Sequence, residues 1–465
     1  MSRYTAVTPE DLEQMLATIG AASIDELFEQ VPEGVRLGRE LDLPEGMGEQ
    51  EVYGHLLELA RANTSADDEI TFLGAGMYDH YAPAVIDMLL GRSEFLTPYT
   101  PYQPEISQGS LQVMFEYQTA ISELTGLPVS NASVYEGPSA VGAAGYLAKL
   151  ANGKSKFVVS RGLHPHSRET LRTLSHGYGI EVVEVPLSGG VTDPGAWAEA
   201  IDGDTCAVFF QQPNFLGIVE DAAALAEAAK NSPAVVVGSY DPIPLGILAS
   251  PGECGVDVAV GEGQTLGNRM DFGGPSFGFF AATAAYLRKM PGRIAGETTD
   301  VDGRRGFVLT LQTREQHIRR EKATSNICTS QALNALAGVV YLSWLGRDGI
   351  VELAELLLQR TAYARERLAA VDGVEELFDG PAVREFAVDL DVADTAAVER
   401  VISRCQDRGI NPGYAVGRDY EEFPTALLIA ITEQRTAEQI DMLAEALGEA
   451  MAEERAATGV GEAAS

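Results

Sequence analysis

Lysine is scarce in this 465-residue chain: there are six, at positions 149, 154, 156, 230, 289 and 322, and none lies between Lys230 and Lys289. No residue inside that interval can form an imine with an aldehyde cofactor, because that bond needs a primary amine. Cysteine is scarce as well. Cys206, Cys254, Cys328 and Cys405 lie far apart without CxxC or other metal-type spacing, which argues against a disulfide framework or a zinc site and reads as four reduced core thiols. No apolar run approaches the ~20 residues of a membrane span. The N-terminal MSRYTAVTPEDLEQ lacks the apolar core of a signal peptide, so a cytoplasmic location is expected. Positive charge is in deficit throughout, and a net charge of −35 disfavours nucleic acid and anionic membrane surfaces through long-range repulsion. An acidic, lysine-poor surface suits a high-salt cytosol, and a GC-rich genome gives much of the same bias.

At 45% hydrophobic residues the chain can bury a large core and is long enough for more than one domain. Three zones are expected. Residues 1–65 read as a helical extension: Thr8-Pro9-Glu10-Asp11 is a helix start followed by an apolar stripe of Leu12, Met15, Leu16 and Ile19, and Ser23 with Glu26 is a capping box. Such a stripe packs on the main domain or on another subunit.

Residues 66–330 alternate helical stretches with short apolar runs: FVVS (157–160), VVEV (182–185), CAVFFQ (206–211), AVVVG (234–238) and VDVAV (256–260). Strands apolar on both faces and separated by helices imply an α/β fold with a mostly parallel, doubly wound sheet. Ligands of such sheets bind beyond the carboxyl ends of the strands. Residues 331–451 carry a long helix beginning near Thr329, a second from Gly349 to Ala369, strands FAVDL (386–390) and ALLIAI (426–431), and helices at 395–408 and 436–453. They read as a smaller C-terminal α+β domain, with a frayed tail at 452–465.

Four stretches carry a resemblance: FLGAGMYDHYAPAVIDMLL (72–90), FLTPYTPYQPEISQGSLQVMFEYQTAISELTGLPVSNAS (95–133), QQPNF (211–215) and LQTREQHIRREKATSNICTSQAL (311–333). Together they resemble the glycine decarboxylase P-protein family of the glycine cleavage system, in the N-terminal half that some organisms make as a separate subunit. The resemblance runs from Arg3 to about Met451. It implies a fold-type-I transferase architecture of the pyridoxal-phosphate (PLP) enzymes, and an α2β2 enzyme whose cofactor is bound by a companion, lysine-bearing subunit 2. It also implies decarboxylation of glycine, with the aminomethyl group passed to the lipoyl arm of H-protein. The companion's lysine-threonine motif, ahead of a glycine-rich loop ending in Gly-Gly-Pro, matches Gln264-Thr265 and Gly273-Gly274-Pro275 here. Gln264 thus stands at the lysine position, no catalytic set is complete in this chain, and no cofactor is expected covalently on it.

What the resemblance assigns to other positions stands beside plainer readings. Tyr99, Tyr102, Gln103 and Glu105 form a proline-stiffened segment that projects aromatic, amide and carboxylate groups toward the companion's site or simply makes an interface loop. Thr324, Ser325 and Asn326 end a basic segment from Arg314 that reaches the companion's phosphate, lies on a solvated helix, or docks the acidic H-protein. Asn131, Ser133, His164 and Asp241 fall where a PLP enzyme keeps its cofactor pocket. The segment Glu136-Gly137-Pro138-Ser139 precedes a helix whose N-terminus would hold a phosphate, although Pro138 deletes one N–H and a merely capped helix fits better. His164 and His166 also read as helix-capping loop residues, His80 carries little functional signal, and no metal site is expected. Two alternatives remain open: a self-sufficient PLP enzyme using Lys289 or Lys322, and a non-enzymatic dock for a carrier protein.

Overall fold

The five apolar runs become five parallel strands, four of them covered on both faces and VVEV a largely half-buried edge strand. In the computed structural model, which describes residues 6–458, the chain falls into two compact units, residues 1–64 and 65–465. The first unit carries α1 (Pro9–Ile19) and α2 (Glu49–Arg61). Thr8 caps α1 with its side chain on the Asp11 N–H while Asp11 bonds back to the Thr8 N–H. Around Ser23 the capping box opens only a four-residue 3₁₀ turn, Asp25–Phe28. Every described residue of this unit is partly or fully exposed.

In the second unit α3 (Gln108–Thr125) leads to a short strand β1 (Val129–Ser130), then α4 (Gly137–Asn152), β2 (Lys156–Ser160), α5 (Pro165–Tyr178), β3 (Glu181–Val185) and β4 (Thr205–Gln212). After α6 (Ala222–Ala229) come β5 (Val235–Tyr240), β6 (Val258–Glu262) and β7 (Gly278–Ala282). The seven-stranded sheet has the order β1-β7-β6-β5-β4-β2-β3. All neighbours among β2 to β6 are parallel, and only β7 is antiparallel to the strands beside it, β1 and β6. Val158, Val208, Phe210 and Ala259 pack on one face and Phe157, Val159, Phe209 and Val260 on the other, all essentially without solvent contact. The sequence expectation of a mostly parallel, doubly wound sheet holds, and the antiparallel β7 is a strand it did not include.

Beyond this sheet α7 (Ala332–Ala369) breaks at Gly346, whose φ of 64° interrupts the helix between the two helices read from the sequence. β8 (Val374–Glu376), β9 (Glu385–Leu390), β10 (Tyr414–Ala415) and β11 (Ala426–Ala430) form an antiparallel sheet of order β8-β9-β11-β10. α8 (Thr395–Gln406) and α9 (Ala437–Thr458) cover it through Val398, Val401, Leu443 and Leu447, which meet Phe386, Val388, Leu427 and Ile429. α9 continues past Met451, where fraying was expected, because Met451 and Glu454 are buried; residues 459–465 of the expected tail lie outside the described residues. Among the described residues no helix is long and apolar enough to cross a membrane.

The loop after β4 binds the two sheets together. Asn214 donates to the Gly190 carbonyl (2.8 Å) and to Glu220 (2.9 Å), and accepts from the N–H groups of Leu216 and Ile218. Gly217 next to it has φ of 88°, and a Cβ there would sit 2.1 Å from the Glu385 carbonyl oxygen at the start of β9. Gly217→Ala therefore costs both left-handed strain and displacement of β9, about 2–5 kcal/mol. Gly303→Ala is the control, with φ of 78° and open space around the new methyl, and should cost only about 1 kcal/mol. Denaturant unfolding followed by the fluorescence of buried Trp197 checks the difference; equal midpoints for the two variants would contradict the close approach.

Candidate functional site

Where β4, β5 and β6 end, a cavity of about 480 Å³ opens, lined by segments the sequence placed at this edge and by some it did not. Gln211, Ser239, Tyr240 and Asp241 come from the ends of β4 and β5, Glu262 and Thr265 from the end of β6, His164 and Ser167 from the start of α5, and Glu136 to Pro138 from the start of α4. Residues 74–78 and Arg384, ahead of β9, close it from the other side.

The N-terminus of α4 points unpaired N–H groups at this cavity, the arrangement that holds a phosphate when it is free. Here it is taken. Glu136, the N-cap, accepts from the Ser139 N–H (3.1 Å) and also bonds the Ser139 hydroxyl. Glu262 accepts from the Gly137 N–H (2.9 Å) with one oxygen and from the Gln264 N–H (3.0 Å) with the other. Gly137 lies so close that a Cβ would stand 3.1 Å from the Glu262 backbone nitrogen. Burial raises the Glu262 carboxyl to about 7, against the bonds from Gly137, Ser276 and Gln264 that hold it down, and the neighbouring Glu136 pushes it further up. A dianionic phosphate at this helix end would face two carboxylates that already use its N–H groups.

Gln264 occupies the turn after β6 and is fully buried. Its Oε1 accepts from the Tyr78 N–H (3.0 Å), and its Nε2 donates to the carbonyls of Tyr78 (3.0 Å) and Asn268 (2.9 Å). The amide is spent on backbone and does not line the cavity; Thr265 does. His80 lies buried beside it, its imidazole lowered to about 4 by burial. Asp241 lines the cavity and pairs with Arg384 at 2.5 Å, while the Arg384 guanidinium lies 3.5 Å over the Tyr78 ring. Burial raises the Asp241 carboxyl and Arg384 opposes that shift. Tyr78 in turn donates to Glu385 at 2.5 Å, and burial lifts Glu385 to about 7. His164 caps α5, accepting from the His166 N–H through Nδ1 (3.1 Å), while its Nε2 meets the Ala75 carbonyl (2.9 Å). Burial lowers its pKa to about 4, so the ring is neutral with the proton on Nε2.

The residues present do not fit PLP. No lysine lines the cavity, the Asp241 carboxylate already holds Arg384, and the phosphate end is closed by the chain's own carboxylates. Lys289 lies elsewhere. β7 starts beside Glu262 and ends beside Val258, the opposite edge of the sheet, and Lys289 follows that end. Lys322 is exposed and also outside the lining.

Asn131 and Ser133 do not line the cavity either. Asn131 is buried, donating to the Pro291 carbonyl (2.9 Å) and accepting from the Ser133 N–H, while the Ser133 hydroxyl accepts from the Gln331 N–H ahead of α7. Both fix loops rather than a ligand.

The two other segments singled out from the sequence come together in a second place. Tyr102 Oη receives a bond from Arg293 (2.5 Å) and lies 3.4 Å from Cys328 Sγ, with the Arg293 guanidinium stacked 4.7 Å from the ring. Arg293 also donates to the Cys328 carbonyl and pairs with buried Glu315, beside which His317 packs edge-on against Tyr102. Cys328 is thus no core thiol, contrary to the sequence reading: it is half-buried among polar groups, as Cys254 is also only half-buried. Tyr99, Gln103 and Glu105 are exposed. Thr324 reaches the Arg314 carbonyl at the edge of bonding distance, Ser325 accepts from the Ile327 N–H, and Asn326 is exposed. The basic segment is not one helix but three short turns, and its Arg314 is buried, donating to the carbonyls of Met290, Gly292 and Leu311.

Sequence reasoning missed Glu262, Arg384, Glu385, Tyr78 and Arg293. For Glu262 a signal existed, an acid closing an otherwise apolar buried strand, VDVAVGE.

Comparison with known proteins gives a single direction. The sequence profile of the glycine cleavage system P-protein family matches residues 2–447. A probable glycine dehydrogenase (decarboxylating) subunit 1 from Carboxydothermus hydrogenoformans is 50% identical over 446 residues, covering 96% of this chain and 99% of that one. The corresponding protein of Moorella thermoacetica is 48% identical, over 96% of this chain and 98% of its own. A crystal structure of glycine decarboxylase (P-protein) of the glycine cleavage system, in inhibitor-bound form, superposes with a TM-score of 0.86 at 42% identity, over 97% of this chain and all of that chain. A sphingosine-1-phosphate lyase from Burkholderia pseudomallei, 16% identical with a TM-score of 0.63, shares the fold over 92% of this chain and 97% of its own.

Proposed function

We propose, from the premise that this chain belongs to the glycine cleavage system P-protein family, that it is the half of a glycine-decarboxylating enzyme that carries no cofactor of its own. Family membership makes the chain a subunit of an enzyme complex, of the kind named subunit 1 in its relatives. The finer reading is a cytoplasmic α2β2 assembly with a lysine-bearing companion, subunit 2, that holds PLP, decarboxylates glycine and passes the aminomethyl group to lipoylated H-protein. The observation that carries it is the closed cavity: Gln264 is locked to the backbone of Tyr78 and Asn268, and Glu136 with Glu262 fill the anion end.

Two further features support a partner chain. The first unit exposes Met15, Ile19, Phe28, Leu41, Leu43 and Leu56, more apolar surface on a 64-residue segment than a free solvated element carries. The exposed Tyr99 and the cluster of Tyr102, Arg293 and Cys328 offer aromatic and polar groups of the sort enriched at interface cores. This chain's part in the reaction is to complete and shield the companion's site, through Tyr99, Tyr102, Gln103 and Glu105 and through the loop Thr324 to Asn326.

PLP addition followed by borohydride reduction tests the reading, on the purified chain and on a mixture with the companion subunit. The expected pyridoxyl label falls on the companion alone, and glycine–bicarbonate exchange appears only in the mixture. Label on Lys289 or Lys322 of the isolated chain, or exchange without the companion, would sink it.

A further inference from the structure

The cavity at the end of β4, β5 and β6 rejects a phosphate but keeps a volume of about 480 Å³, enough for a small organic molecule and its water. Its charge is unbalanced in one direction. Asp241 is matched by Arg384, whereas Glu136 and Glu262, brought together from the start of α4 and the end of β6, form no ion pair among the described residues, and the Glu136 charge works against ionisation of Glu262. No lysine lines the cavity, and the half-buried imidazole there, His164, is neutral with both nitrogens in use.

One acceptor in the same lining, Thr265 Oγ1, lacks a hydrogen-bond partner among the described residues, in a residue that is 2% exposed. Buried polar atoms left unpaired are costly and uncommon in native structures, and a built ligand site is one reason they persist. The acceptors on offer are the two carboxylates and the Thr265 hydroxyl. A primary ammonium presents three N–H donors on one compact cation.

We propose that this cavity binds a small molecule through a primary ammonium group, held by Glu262 and Glu136 with Thr265 completing its shell. This goes beyond the role within the family enzyme, because the site belongs to this chain alone and does not depend on which subunit holds PLP. The groups that face Glu262 are the Glu136 carboxylate, the Asp241–Arg384 pair, neutral His164, His166, the Ser276 hydroxyl that bonds it, the buried Tyr117 hydroxyl, and the N–H groups of Gly137 and Gln264. With its carboxyl raised to about 7, Glu262 is mostly protonated at pH 6 and mostly ionised at pH 8. A cation binds the ionised form and expels the proton, so affinity rises with pH across this window, by about tenfold in all for one such group.

Calorimetric titration of the full chain with ethanolamine, glycine and inorganic phosphate at pH 6, 7 and 8 tests this; both amines stay protonated over the range. Ethanolamine should bind about tenfold more tightly at pH 8 than at pH 6, with proton release near pH 7. Binding should be lost in Glu262→Gln and weakened in Thr265→Val, each checked for native circular dichroism, and phosphate should not bind. Glycine competing with ethanolamine would identify the ligand as an amino acid, and glycine failing to compete would identify a simple amine; either agrees with the proposal. No ethanolamine binding, binding indifferent to both substitutions, or phosphate binding that Glu262→Gln leaves unchanged would overturn it.

Discussion

At pH 7, brief treatment of the folded chain with iodoacetamide should alkylate Cys328 and spare Cys206, Cys254 and Cys405. The thiolate is the reacting species. The Tyr102 hydroxyl first, then Arg293 and Thr100, stabilise the Cys328 thiolate and bring its pKa down to about 7, against burial, which pushes it up. About half of Cys328 is then ionised at pH 7. Burial raises Cys206 to about 11 and Cys405 to about 12, so roughly one in ten thousand or fewer of those thiols is ionised, and access is closed to both. Cys254 is also raised by burial, with Glu253 and Asp221 adding to the effect. The rate at Cys328 should show an inflection near pH 7. Tyr102→Phe removes the first of the stabilising bonds, moves that inflection upward and slows labelling at pH 7 by about tenfold. Uniform labelling of all four cysteines, or an inflection that Tyr102→Phe leaves in place, would show that the cluster does not hold a thiolate.

A second large effect is expected at Arg384. Its guanidinium is wedged between Asp241 at 2.5 Å and the ring of Tyr78 at 3.5 Å, with almost no solvent contact. Arg384→Ala leaves the Asp241 carboxylate unpaired in the cavity wall and should cost about 3–5 kcal/mol, whereas Arg384→Met with Asp241→Asn removes both charges and should recover most of it. The pH dependence has a definite sign. Asp241 already has a folded-state pKa above its unfolded value; without Arg384 it rises further, so the folded state binds the proton more strongly than the unfolded state does. The deficit of Arg384→Ala should therefore be largest at neutral pH and shrink as pH falls through the raised pKa. Urea midpoints of the three proteins at pH 7 and pH 5 measure both statements. A single variant as stable as the double one would mean that the pair is solvated.

The parallel strands were legible because each is a short apolar run rich in β-branched or aromatic residues, and Gly346 marks the break in α7 as a glycine between two periodic segments. Gln264 stood out in the sequence for a different reason, as a departure from the motif that the resemblance supplies. Pairings between distant segments were not. Glu262 meets the Gly137 N–H and Asp241 meets Arg384 only after the sheet has stacked their strands side by side, and nothing local to either member announces the other. Cys328 was read with the other scattered cysteines as a core thiol, but its surroundings are set by Tyr102 and Arg293, which arrive from elsewhere in the chain. Asn131 and Ser133 sit in the loop where cofactor contacts were expected, yet their side chains hold the start of α7 and the Pro291 turn instead.

The plugged end of α4 makes a phosphate-bearing cofactor hard to install in this cavity. A lysine placed at 264 would be a buried cation among the carbonyls of Tyr78 and Asn268, and the Tyr78 N–H would lose its acceptor. The phosphate end would still hold Glu136 and Glu262, and Asp241 would still be neutralised by Arg384. Each of these positions makes single changes at the others unprofitable, a ratchet built from ordinary hydrogen bonds. Opening this end to a phosphate would therefore require the bonds of Glu136, Glu262 and Gln264 to be replaced together.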